Sequence, residues 1–162
     1  MTARRVDVAA GVLRRNDAVL LATGATVPRD LPIPGRELNC VHFSMEFLTA
    51  NTKSLLDSNH EDGDFISAKD KHVIVIGGGD TGSDCVGTAN RQGAKKIYQF
   101  EIMPKPEEWK DSANPQWPFY PRIHRSSSSH EEGCERRWNI KTKQLYGMGV
   151  MAEKGIFCEV EW

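Results

Sequence analysis

No two cysteines in this chain stand close enough to clip a metal ion. Cys40, Cys85, Cys134 and Cys158 are far apart, without a C-x-x-C pair, and are expected to be reduced, buried or incidental thiols rather than a disulfide frame or a zinc site. No apolar run approaches the ~20 residues of a membrane helix, and no signal-peptide core follows Met1. Charge of one sign is lacking too: the net charge of -1 argues against a general nucleic-acid binder. No internal repeat is visible, and only the serines at 126–129 are low in complexity. Secreted, membrane and cluster-binding chains are therefore not expected. What is present is the make-up of an ordinary globular chain, with 162 residues, 39% hydrophobic and 27% charged. That is about one domain's worth of polypeptide.

Residues 17–22 form a short apolar run ended by Thr23-Gly24, which predicts a buried strand. Pro28, Pro32, Pro34 and Gly35 then exclude helix or central strand. Phe47, Leu48, Leu55 and Leu56 suggest a helix over 44–56 with Ser44 as N-cap. The segment 103–121, dense in proline and holding Trp109, Trp117, Phe119 and Tyr120, reads as an irregular covering loop whose aromatics pack it down or flank a cofactor ring. Residues 131–146 suggest partial helix, and the alternation over 157–162 a half-buried strand.

The middle of the chain carries the strongest pattern. The β-branched run at 72–76 predicts a strand buried on both faces. Glycines break it, 83–92 reads as a helix closed by Gly93, and 96–100 is a second strand. Strand, glycine turn, helix and strand make a βαβ unit. Gly77-x-Gly79-x-x-Gly82 sits between its first strand and its helix, the context in which this spacing points to a dinucleotide site. The first glycine makes the turn, the second lets a pyrophosphate approach the backbone, and the third lets helix and strand pack closely. The helix N-terminus adds free N–H groups and a positive dipole end. The alternative is that glycines merely make a tight turn. Glu101, 19 residues after Gly82, stands where a carboxylate accepts from an adenosine ribose and repels a 2′-phosphate, which favours NADH over NADPH; Lys105 lies close enough to blur that preference.

Ser129, His130 and Glu131 stand in a row, but triad groups converge from separated positions, and His130-Glu-Glu-Gly-Cys134 lacks the second histidine of H-E-x-x-H. A short helix capped by Ser129 with acidic first-turn residues explains the same letters. No catalytic side chain and no metal ligand is assigned. Arg122, Arg125, Arg136 and Arg137 either contact phosphate or form a solvated face.

Together these segments carry a family resemblance. Leu20-Leu-Ala-Thr-Gly-Ala25 resembles the "ATG" strand of flavoprotein reductases with two dinucleotide domains. The stretch ATGATVPRDLPIPGRELNCVHFSMEFLTANTKSLL, ending at Leu56, resembles the small (β) subunit of glutamate synthase, or the matching C-terminal region of the fused NADH-dependent enzyme. VIVIGGGDTGSDCVGT and NPQWPFYPRIHRSSSSHEEGCERRW extend the match over nearly the whole chain. The resemblance implies an α/β fold: a Rossmann-like NAD(P)H domain with a parallel sheet over 28–162, and a remnant edge of an FAD domain over 1–27. It implies an oxidoreductase module in which NADH or NADPH reduces FAD, with Thr23 and Gly24 near the flavin. Gly77, Gly78, Gly79, Asp80, Thr81 and Gly82 hold the pyrophosphate, and Glu101 the ribose. Electrons would pass through iron–sulfur clusters to the synthase part, a large subunit or fused domains, where glutamine and 2-oxoglutarate become glutamate.

The cysteine-rich segment, the first G-x-G-x-x-G and the C-terminal FAD motif of full-length relatives do not occur in this sequence, and Cys40 stands where a glycine is expected. An internal fragment is thus expected, inactive alone, of cytoplasmic or, in a plant, plastid origin. Two alternatives remain open: a non-catalytic nucleotide-binding module, and a module of another FAD- and NAD(P)H-dependent reductase.

Overall fold

A computed structural model describes residues 16–18, 20, 27–107 and 123–161. Helix α1 (Ser44–Ser58) is followed by β1 (His72–Ile76), α2 (Asp80–Arg91) and β2 (Lys96–Phe100), then a short α3 (Ser128–Glu131) and β3 (Glu135–Arg137). Strands β1, β2 and β3 form one sheet in that order, both pairs parallel, with Ile74 opposite Tyr98 and Gln99 opposite Arg136. Strands β4 (Ile140–Tyr146) and β5 (Lys154–Glu159) form an antiparallel pair. The chain is an α/β protein with a parallel, Rossmann-like sheet, and the expected βαβ unit is β1–α2–β2.

Val75 and Ile97 of the sheet meet Cys85, Val86 and Ala89 of α2 in the core, with Ala68 beside them and Phe47 and Leu48 of α1 packed against the cluster. The opposite face is covered at β2, where Phe157 of β5 sets its ring edge-on to Phe100 at 4.8 Å between centroids. Burial of these apolar side chains is the main stabilising contribution, roughly 25 cal/mol per Å² removed from water.

Several expectations are corrected. Strand β1 is not buried on both faces: Ile74 and Ile76 are 43% and 47% exposed, so the cover that Phe157 gives this face at β2 leaves them largely open. Ser44 is the first residue of α1 and not its cap; Phe43 takes the N-cap position without a side-chain bond. Helix α2 starts at Asp80 rather than Ser83, since Gly79 is already extended and the helix winds up directly behind it. Residues 131–146 are not helical beyond Glu131; β3 and β4 occupy them, drawn into strands by pairing with β2 and β5. The last strand spans Lys154–Glu159, earlier than expected. Of the strand expected over 17–22, Asp17, Ala18 and Leu20 are exposed and in no strand, and the other positions lie outside the described residues. Most of the proline-rich loop, with Trp109, Trp117, Phe119 and Tyr120, also lies outside them.

Candidate nucleotide site

The glycine turn joins the C-terminal end of β1 to the N-terminus of α2, which is where open parallel sheets place their ligand crevice. Gly77 has φ 119°, a conformation open to glycine and costly for other residues. Its N–H donates to the Phe100 carbonyl at 2.8 Å, tying the turn to β2. Gly82 is a close-approach glycine: a β-carbon there would lie 2.6 Å from the Gly77 carbonyl oxygen. Gly79 is the opposite case. Its backbone is extended (φ −76°, ψ 179°), and a β-carbon on it would meet no described atom within 4 Å. The second glycine of the pattern therefore faces open space, as an incoming phosphate requires.

Among the described residues no side chain caps α2. The N–H groups of a helix's first turn have no acceptor within the helix, so the uncapped end has donors and a positive dipole end to offer an anion. Asp80 and Thr81, both exposed, begin that turn.

Glu101 is brought to the turn, as expected from its place after β2, but its carboxylate is already engaged. Oε2 accepts the Gly78 N–H at 2.6 Å and Oε1 accepts the Met103 N–H at 3.1 Å. A β-carbon on Gly78 would collide with this carboxylate at 2.5 Å. Thr23 and Gly24 lie outside the described residues, so the flavin edge expected there has no described geometry.

The cationic candidates are largely taken up by their neighbours. Arg137 pairs with Glu135. Arg136 donates to the Arg125 carbonyl at 3.0 Å and lies over the Trp138 ring. Lys105 faces the same ring from 5.6 Å. Arg122 lies outside the described residues. The four cysteines are free: Cys40 is exposed, Cys134 and Cys158 are half-buried, and burial pushes the Cys85 thiol up to about 11. Among the described residues no three His, Cys, Asp or Glu side chains gather as a metal or cluster would need. No helix there is long and apolar enough to cross a membrane.

The serine–histidine segment is the short capped helix foreseen, with one correction: Ser127, not Ser129, is the N-cap. Its side chain bonds the His130 backbone while the His130 ring accepts from the Ser127 N–H. His130 also reaches Gln99, which sequence reasoning passed over. The signal was a lone amide in the apolar strand KIYQF, since a buried polar side chain needs partners.

These features define an α/β, Rossmann-like fold with a glycine turn leading into the N-terminus of α2. The chain belongs to the pyridine nucleotide-disulphide oxidoreductase family, whose model matches residues 5–116. Among curated relatives it is similar to glutamate synthase [NADH] of Schizosaccharomyces pombe, 59% identical over 153 residues, covering 90% of this chain and 7% of the relative. It is also similar to glutamate synthase [NADPH] small chains of Mycobacterium tuberculosis (52% identical, 88% of this chain, 30% of the relative) and Bacillus subtilis (50% identical, 86% and 30%). The chain thus spans less than a third of the length of these relatives.

Proposed function

We propose that this chain is the NAD(P)H-binding module of a glutamate synthase, an oxidoreductase that draws reducing equivalents from a nicotinamide dinucleotide. The observation that carries the reading is the open space at Gly79 directly before an uncapped helix end. A diphosphate fits there because the backbone offers donors, the α2 dipole is favourable, and no side chain intervenes. Gly77 to Gly82 hold the pyrophosphate, and Glu101 faces the adenosine ribose.

In this reading the chain binds and orients, and no side chain need act as a general acid or base. The hydride chemistry belongs to the nicotinamide and, in the full-length parent, to FAD. Thr23 and Gly24 are proposed to border the flavin, with 1–27 belonging to the FAD domain and 28–162 to the NAD(P)H domain. Iron–sulfur clusters belong to other parts of the parent, since the cysteines here are scattered. The partner would be the large synthase subunit or the fused synthase domains, where glutamate is formed from glutamine and 2-oxoglutarate. Of the relatives' names, NADH belongs to the 59% identical one and NADPH to those at 52% and 50%; with Glu101 at the crevice, NADH is the proposed nucleotide. Calorimetric titration tests the reading: saturable binding of NADH supports it, and no heat with either nucleotide refutes it.

A further inference from the structure

Gln99 is 2% exposed, flanked by Tyr98 and Phe100, and shares the inward face of β2 with Ile97. A buried primary amide must satisfy both ends, and this one does. Nε2 donates to the Gly77 carbonyl at 3.0 Å, and Oε1 faces His130 Nε2 at 2.8 Å. The Ser127 N–H donates to His130 Nδ1 at 3.1 Å. That bond makes Nδ1 the acceptor, so the neutral ring carries its proton on Nε2 and donates it to Gln99. The amide orientation follows, with its NH2 turned to Gly77. At the far end the Ser127 hydroxyl bonds that of Ser83 in α2.

The Gly77 carbonyl and the Gly78 N–H belong to one peptide unit. Gln99 holds its oxygen and Glu101 holds its N–H, so two side chains from the end of β2 clamp both ends of the same plane. A peptide between two glycines has low barriers to rotation, because neither residue carries a β-carbon to restrict it. Were it to turn over, a carbonyl oxygen would face the crevice and its negative end would oppose a diphosphate. We infer that Gln99, supported by His130, is a positioning residue that keeps the Gly77 carbonyl turned inward and the turn ready for the pyrophosphate. The inference rests on the proposal that this turn holds the nucleotide.

Two substitutions at the half-buried His130 separate this role from plain capping. His130→Asn keeps an acceptor for the Ser127 N–H but is too short to reach Gln99. His130→Gln carries an amide nitrogen at about the reach of Nε2 and keeps the donation to Gln99 while losing the acceptor near Ser127. NADH affinity, measured by calorimetry beside a thermal melt, should fall about three- to tenfold in His130→Asn, as for the loss of one hydrogen bond. It should stay near wild type in His130→Gln, whatever that change does to the melting temperature. Equal affinities in the two variants, or affinities that simply follow their melting temperatures, overturn the inference while leaving the site itself intact. Failure of the wild-type chain to bind NADH overturns the reading of the turn, and this inference with it.

Discussion

The carboxylate of Glu101 accepts the Gly78 N–H at 2.6 Å, so the residue expected to choose between nucleotides also braces the loop proposed to hold them. Its two tasks are separable by charge. Glu101→Gln keeps a carbonyl oxygen for the Gly78 N–H but removes the negative charge that opposes a 2′-phosphate. NADH should bind more tightly than NADPH to the wild type, and the variant should narrow that gap by roughly tenfold, the scale of one charge-assisted bond. Titrating both nucleotides into both proteins checks it; an unchanged affinity ratio would make Glu101 a brace only, leaving the choice to Lys105 and its neighbours.

Burial, with the nearby Arg136 and His124, holds the His130 imidazole below its ordinary value. Its neutral form is therefore favoured by folding. The resulting stability is fully present above the unfolded histidine value of about 6.5 and is lost as pH falls through the lower folded value. His130→Asn should flatten the melting temperature against pH over that acid window relative to wild type. Parallel curves would show that the ring carries no such linkage.

Cys40 adopts φ 69°, where a β-carbon is strained, and the family resemblance led us to expect glycine there. Left-handed backbone costs a non-glycine residue about 1 kcal/mol, partly offset by the greater unfolded-state entropy of glycine. Cys40→Gly should raise stability by roughly 0.5 kcal/mol in urea titration. A lower midpoint would mean that the Cys40 thiol contact with the Met151 sulfur at 3.9 Å outweighs the strain.

Ile74 and Ile76 expose an apolar strip on β1, and β1 has no second strand neighbour among the described residues. Such an edge favours association and lowers cooperativity. The isolated chain should melt low and broadly and bind a hydrophobic dye, whereas the same segment within a full-length relative should not. A sharp, high-temperature melt of the monomer would contradict this.

The parallel core was legible because its signals are local. The β-branched run at His72–Ile76 and the strand Lys96–Phe100 fall where the periodicity puts them, and the glycines at 77, 79 and 82 announce the turn between β1 and α2. The stretch after Glu131, expected to be helical in part, forms strands because local propensity there is overruled by pairing to β2 and β5. The links from His130 to Gln99 and from Gln99 to Gly77 join residues 31 and 22 positions apart. Only the buried amide, not its partners, could be suspected from the letters.

The central claim is that the turn at Gly79 receives the pyrophosphate, and Gly79→Val tests it most directly. The backbone there is extended and a β-carbon meets no described atom within 4 Å, so the substitution should leave the fold alone and fill only the space a phosphate would occupy. NADH binding, followed by calorimetry, should be abolished while the circular dichroism spectrum matches wild type. Undiminished NADH binding by the folded variant would contradict the account.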